Sequence, residues 1–198
     1  MTSTIQYRTA IYFIAIVPPE PLYSEIQEIK EEVGRTYKTK EALRRPPHAT
    51  LIPPFNAPTS VEPDLVTFME TYGNSQKPFD IFIDGFGEFH QGTIFIKPNE
   101  SPELMKMQKE LAKAFNKVYS RGKSRGPSYG FHPHITIAYK DLTRPMFDAA
   151  WREYHDKIFR RRFTLDHIDL MRWDNGWKTI KEGIFTNGTS IDELSLFD

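Results

Sequence analysis

The alternation of apolar and polar residues divides the chain into amphipathic helices and short strands. Apolar residues recur at helical spacing in four segments, so that one side of each would face a core. β-Branched and aromatic residues dominate the segments between them, as is typical of strands. The predicted helices cover 18–33, 61–72, 103–119 and 145–159, and the predicted strands cover 7–17, 48–52, 79–89, 92–98, 134–139, 163–173 and 177–186.

The order of these elements, β-α-β-α-β-β-α-β-α-β-β, predicts an α+β fold. Strands joined by short connections favour antiparallel or mixed sheets. The last two strands flank Asp-Asn-Gly at 174–176, which is a strong hairpin signal. A helix followed by a histidine-bearing strand occurs in both halves, and no linker separates them. We therefore expect residues 1–198 to form a single bilobed unit.

Two predicted strands begin with the same pattern, a proline followed by His-x-Thr and further apolar residues. The first lies in "RRPPHATLI" and the second in "FHPHITIAY". Because strand side chains alternate between faces, His48 shares a face with Thr50, and His134 shares a face with Thr136. An imidazole accepts or gives a proton near neutral pH, and a threonine hydroxyl can donate to a phosphate oxygen. Two such pairs across a groove would suit displacement at phosphorus without a metal.

Composition and charge narrow the range of partners. Lys and Arg together number 26, as do Asp and Glu, so the chain lacks the basic excess of a protein that coats long duplexes. A small phosphorylated nucleotide or an RNA end could still bind through a local patch. The arginine- and glycine-rich segment 120–130 is a candidate for that patch, or simply a solvated loop.

Cysteine content and apolar run lengths exclude other classes. The sequence has no cysteine, which excludes disulfides, a thiol nucleophile and zinc–thiolate sites. No apolar run reaches the roughly 18–20 residues of a membrane helix. We therefore expect a cytoplasmic monomer that needs no cofactor and does not engage a membrane.

Residues beside the motifs are weaker candidates for substrate binding. His132 and His134 form His-x-His, which could present two metal ligands, but no cysteine or nearby carboxylate cluster offers the others. We assign no metal there and expect His132 at the groove edge. Arg45 could meet phosphate charge or lie solvated before the strand. By alternation Lys140 falls on the histidine face, whereas Tyr139 is predicted to point away.

The paired motifs resemble those of the two-histidine (2H) phosphoesterase superfamily, which includes bacterial 2′-5′ RNA ligases and RNA 2′,3′-cyclic phosphodiesterases. The resemblance extends from "YFIAIVPPEPLYSEIQEIKEEV" to "FTLDHIDLMRWDNGWKTIKEGIF". It implies two pseudo-symmetric lobes of mostly antiparallel sheet with flanking helices around a central groove. It also implies that His48 and His134 are catalytic. Thr50 and Thr136 would then bind the phosphate.

The sequence leaves three functions open. The first is a metal-independent phosphoesterase that acts on a 2′,3′-cyclic phosphate or a 2′-5′ bond, in the hydrolytic or the ligating direction. The second is a module that binds a phosphorylated nucleotide or RNA end without turnover. Tyr139 and Lys140 stand where many RNA-processing relatives carry an arginine, and together with the balanced charge this keeps the second function tenable. The third is a protein-interaction domain whose histidines only satisfy backbone partners.

Overall fold

The protein is described here by a computed structural model that covers residues 8–90, 92–119 and 130–186. The arginine- and glycine-rich candidate patch lies outside the described residues except for Gly130. The α-helices and strands follow one another along the described chain as β1 Thr9–Ile16, α1 Leu22–Tyr37, β2 Ala49–Pro58, α2 Glu62–Asn74, β3 Phe79–Phe89, β4 Thr93–Pro98, α3 Pro102–Tyr119, β5 Ile135–Tyr139, α4 Arg144–Tyr154, β6 Arg160–Leu165, β7 His167–Trp173 and β8 Trp177–Ile184. None of the helices so described is both long and apolar enough for a membrane crossing.

The eight strands form one antiparallel sheet in the order β6-β3-β4-β5-β2-β1-β7-β8. This confirms the predicted α+β class. The sheet consists of two four-stranded halves that meet where β2 lies beside β5. Ala49 and Ile135 are register partners at this junction, and each comes one residue after a motif histidine. The junction therefore brings the starts of the two motif strands together. An approximate two-fold axis relates the two halves of the sheet.

The two faces of the sheet are covered differently. Along β1, Tyr12 and Ile14 belong to the large core that the helices share with the sheet. Phe13 and Ala15 point the other way, into a small apolar cluster with Met171. Helices therefore cover one face and leave the opposite face more open.

The predicted strand 163–173 is wrong as a single strand, because it divides at Asp166 into β6 and β7. β6 pairs with β3 in one half of the sheet, whereas β7 pairs with β1 in the other. The apolar residues change phase from Phe163 and Leu165 to Ile168 and Leu170, which marks the break. The predicted turn that follows is confirmed, because β7 and β8 pair up to Trp173 and Trp177.

The first motif strand is longer than predicted, because β2 continues through the prolines to Pro58. Pro53 and Pro54 lie at a register irregularity against β1, between the partners of Tyr12 and Ile14. A proline removes a ladder hydrogen bond, so it is tolerated at such an irregularity. Residues 55–58, between the predicted strand 48–52 and the predicted helix 61–72, are therefore strand.

Two helix ends also differ from the prediction. α1 runs through Gly34, which we expected to end it. A β-carbon at Gly34 would lie 2.9 Å from the carbonyl oxygen of Thr39, so this glycine permits a close approach to the following segment. α4 ends at Tyr154, earlier than the predicted 159.

Helix α2 and strand β8 approach each other through two glycines, and this contact yields a stability prediction. A β-carbon at Gly73 would lie 2.5 Å from the carbonyl carbon of Gly183. Since backbone must move to relieve such a clash, Gly73→Ala is expected to lower the free energy of unfolding by roughly 1–3 kcal/mol. Urea unfolding measures the change. Gly130→Ala is the control, because its β-carbon would have nothing within 4 Å. An equal loss in both variants would contradict the close-packing explanation.

Candidate active site

A pocket of about 250 Å³ opens where the two halves of the sheet meet. Both histidines and both threonines of the motifs line it, together with Arg45. Further lining residues are Lys30, Ala42, Pro46, Phe89, Thr93 and Tyr139. The structure thus brings together five of the seven residues that the sequence singles out, and leaves His132 and Lys140 outside the lining.

The two histidines are anchored in the same way. His48 Nδ1 lies 2.7 Å from the carbonyl oxygen of Pro46, and His134 Nδ1 lies 2.7 Å from that of His132. A carbonyl oxygen only accepts, so each Nδ1 carries a proton and donates it. In a neutral ring this leaves the lone pair on Nε2. Each motif therefore presents a nitrogen that can take up a proton.

Burial and charge keep both imidazoles neutral near pH 7. Burial lowers the pKa of His48 to about 4, and the charges of Lys30 and Arg45 act in the same direction, against the hydrogen bond to Pro46. Burial also lowers the pKa of His134, against the hydrogen bond to the His132 carbonyl, and the charge of the His132 ring adds slightly to the lowering. An anionic ligand between the rings would raise both pKa values, because a nearby opposite charge favours the protonated form.

Aromatic rings support each imidazole from a neighbouring strand. On β1, the Phe13 ring centroid is 5.0 Å from that of His48. On β4, the corresponding distance from Phe95 to His134 is 5.6 Å. Phe89, at the end of β3, also meets His134 edge-on at 5.1 Å. The approximate two-fold relation thus extends to the packing around the histidines.

Lys30 of α1 is a pocket residue that the sequence reasoning missed. It is only 1% exposed, and its Nζ donates a hydrogen bond to the carbonyl oxygen of Arg45. Burial, assisted by the charge of Arg45, lowers its pKa to about 8. The available signal was its position four residues after Ile26, on the apolar side of the helix. A lysine there must be buried, and it supplies positive charge to the pocket.

Tyr139 lines the pocket, so the prediction that it points away is wrong. Thr136 pairs with Phe95 and Ala138 pairs with Ile94, which leaves Ile137 as an extra residue in β5. Such a bulge reverses the alternation, so that Tyr139 joins the face of Thr136. The alternation argument fails for Lys140 for the same reason.

Lys140 and His132 occupy positions beside the pocket. Lys140 follows the end of β5 with a φ of 67°, is exposed, and is not among the lining residues. The His132 ring is exposed, and its Nδ1 lies 2.8 Å from Glu100 Oε1. His132 contributes its carbonyl group, which holds His134, rather than its imidazole.

Arg45 is fixed at one wall of the pocket. Its Nη1 donates to the Tyr139 hydroxyl at 2.5 Å. Its guanidinium carbon lies 5.8 Å from the ring centroid of Tyr139 and 5.9 Å from that of Trp177. A cation held between two rings keeps its charge at this wall. Arg45 is therefore an ordered part of the pocket and not a solvated residue before the strand.

Comparison with known proteins identifies relatives along most of the chain. Residues 18–177 match the family described as the 2′-5′ RNA ligase superfamily. A protein of Bacillus cytotoxicus that carries the provisional name of a phosphoesterase is 33% identical over 148 residues, covering 74% of this chain and 81% of that protein. A similarly named protein of Bacillus licheniformis is 30% identical over 182 residues, covering 86% and 95%.

Solved structures show the same fold. The TT0787 protein of Thermus thermophilus superimposes with a TM-score of 0.66 at 18% identity, covering 87% of this chain and 96% of that one. The Escherichia coli LigT structure complexed with 3′-AMP gives a TM-score of 0.60 at 18% identity, covering 91% and 100%. At such low identity the likeness concerns the fold alone.

Proposed function

The chain belongs to the 2′-5′ RNA ligase superfamily, as its motifs predict, and on this basis we propose a specific reaction for its pocket. The protein is a metal-independent phosphoesterase that acts on a 2′,3′-cyclic phosphate or a 2′-5′ phosphodiester bond of a nucleotide or RNA end. The main support is the pair of histidines in one pocket, each with Nδ1 bound to a carbonyl oxygen. The Nε2 atoms are then available to a phosphate bound between the threonines.

In the cleavage direction His48 is the base and His134 is the acid. His48 is the more deeply buried of the two and lies nearer to Lys30 and Arg45, which disfavours its protonation. Its Nε2 takes the proton of the attacking water or ribose hydroxyl while the new P–O bond forms. Protonated His134 gives its proton to the departing oxygen as the old P–O bond breaks. Ligation uses the same groups in reverse.

The remaining pocket residues stabilise the phosphoryl group. The hydroxyls of Thr50 and Thr136 donate to its non-bridging oxygens. Lys30 and Arg45 offset the negative charge that builds up on these oxygens in the transition state. The ring of Tyr139 offers apolar surface for a base. Nucleotide binding also fits the LigT structure, which was determined as a complex with 3′-AMP.

Turnover of defined phosphodiesters in the presence of EDTA tests this proposal. The substrates are the four nucleoside 2′,3′-cyclic monophosphates and a 2′-5′-linked dinucleotide, with the 3′-5′-linked dinucleotide as control. We expect cleavage of a cyclic or 2′-5′ substrate and none of the control, because a pocket with two fixed imidazoles requires one geometry of attack and departure. Chromatography of the products identifies the bond that is cut.

Two results would count against the proposal. Activity that requires an added divalent ion would contradict metal independence. Absence of turnover together with nucleotide binding, measured by calorimetry, would instead favour the binding module.

A further inference from the structure

Three side chains outside the pocket converge on the hairpin formed by β7 and β8. His167 and Asp169 lie on β7, and Glu182 on β8 is the register partner of Asp169. One imidazole nitrogen and one oxygen from each carboxylate all lie within 4.8 Å of one another. Bonds from zinc to nitrogen or oxygen are about 2.0–2.2 Å long, so ligand atoms of one ion lie about 3–4 Å apart. Small side-chain adjustments would bring these three atoms around one cation.

The outer contacts of the cluster resemble those that orient metal ligands. His167 Nδ1 lies 2.7 Å from Asp166 Oδ1, whereas its Nε2 is directed towards Asp169 Oδ2 at 3.8 Å. The Thr179 hydroxyl donates to Asp169 Oδ1 at 3.0 Å, and the Val17 amide donates to Oδ2 at 3.3 Å. A histidine that binds a metal through one nitrogen usually donates its other N–H to such a carboxylate. The cluster therefore has both ligands and the groups that hold them.

The charges of the cluster favour a cation. Asp169 is only 2% exposed and faces Glu182 directly, and like charges on opposite strands repel. Lys181 on the same hairpin forms an ion pair with Glu70 instead. A divalent ion would offset the repulsion between the two carboxylates.

We propose that His167, Asp169 and Glu182 bind a divalent first-row transition-metal ion, preferentially Zn²⁺. One imidazole and two carboxylates are a ligand set that zinc accepts, with water in the fourth position. The site is separate from the pocket. Ala15 of β1 is the register partner of both Thr50 and Asp169, which places the cluster two strands, or about 10 Å, from Thr50. An ion there fastens β7 to β8 and takes no part in the phosphoester chemistry.

Zinc binding to protein freed of metal by EDTA and then dialysed tests this site. ZnCl₂ is titrated by calorimetry and the melting temperature is recorded with and without the ion, with MgCl₂ as the comparison. We expect Zn²⁺ to bind and raise the melting temperature, because a ligand that binds only the folded state stabilises it. Glu182→Gln and His167→Gln should each weaken binding at least about tenfold. Glu28→Gln, on exposed helix surface, is the matched control.

The double variant His48→Asn/His134→Asn separates this site from the pocket, and it should bind Zn²⁺ as the wild type does. Loss of zinc binding in that variant would place the ion in the pocket and overturn the proposal. Unchanged affinity in both Glu182→Gln and His167→Gln, or no binding by the wild type, would also overturn it. None of these results depends on turnover.

Discussion

Replacement of either His48 or His134 by asparagine is expected to lower turnover of the preferred phosphodiester by about 10²–10⁴-fold, because each imidazole transfers a proton in the transition state. Asparagine suits this test because its amide can still donate to the carbonyl oxygen that now holds Nδ1. The fold and the pocket wall should then persist while the nitrogen that carries the proton is lost. Steady-state rates at saturating substrate measure the effect.

The matched control is His155→Asn. His155 directly follows α4, its Nδ1 lies 3.0 Å from the carbonyl oxygen of Trp151, and it is not among the lining residues of the pocket. Its replacement should leave turnover unchanged. Wild-type rates in both pocket variants would contradict the two-histidine mechanism. Lost turnover with unchanged nucleotide affinity would show that the histidines serve chemistry rather than binding.

A substrate with a good leaving group distinguishes the base from the acid. In a nucleoside 2′-phosphate ester of p-nitrophenol, the leaving group departs without a proton, so a general acid contributes little. His134→Asn should therefore regain most of its activity on this ester, whereas His48→Asn should stay impaired. The opposite pattern would reverse the roles assigned to His48 and His134. Release of p-nitrophenolate follows the reaction directly.

Local sequence patterns predicted the parts of the site that depend on one strand. Proline followed by His-x-Thr and apolar residues was enough to place His48 with Thr50 and His134 with Thr136. Alternation decides which side chains share a face, and this needs no knowledge of the neighbouring strands. The resemblance to the two-histidine family then implied that the two motifs meet, and the junction of β2 with β5 brings them together.

The features that were missed depend on contacts between distant segments. The bulge that turns Tyr139 into the pocket arises from the pairing of β5 with β4, which the sequence of β5 alone does not encode. Lys30 reaches the pocket because α1 packs against β5. Its charge is tolerated there because the carbonyl oxygen of Arg45 accepts its hydrogen bond. Such compensation is visible only once the fold brings the partners together.

Acid should destabilise the protein through His48, which is the second large effect that we expect. The pKa of this imidazole is near its ordinary value of 6.5 in the unfolded chain and about 4 in the folded protein. Between these values the unfolded state binds more protons, so the free energy of unfolding decreases as the pH falls. The part of the free energy of unfolding that depends on neutral His48 is fully present above about pH 6.5. It is lost progressively down to pH 4, to a total of about 3 kcal/mol.

The difference between wild type and His48→Asn isolates this contribution. Asp169 acts in the opposite direction, because its raised pKa makes the folded state bind more protons as the pH falls below about 6. His134, whose pKa is also lowered, adds to the effect of His48. Both groups remain in the variant, so they cancel when the two proteins are compared at each pH.

Urea unfolding at pH 7 and pH 4.5 provides that comparison. Wild type should lose more stability than His48→Asn between the two pH values, by most of the amount expected for His48, because asparagine does not titrate. Equal losses would mean that the imidazole is already solvated enough to protonate in the folded state. The burial that makes His48 costly to charge also keeps its Nε2 unprotonated and able to accept the proton of the attacking hydroxyl. Acid sensitivity and activity are therefore expected to depend on the same feature, the burial of His48.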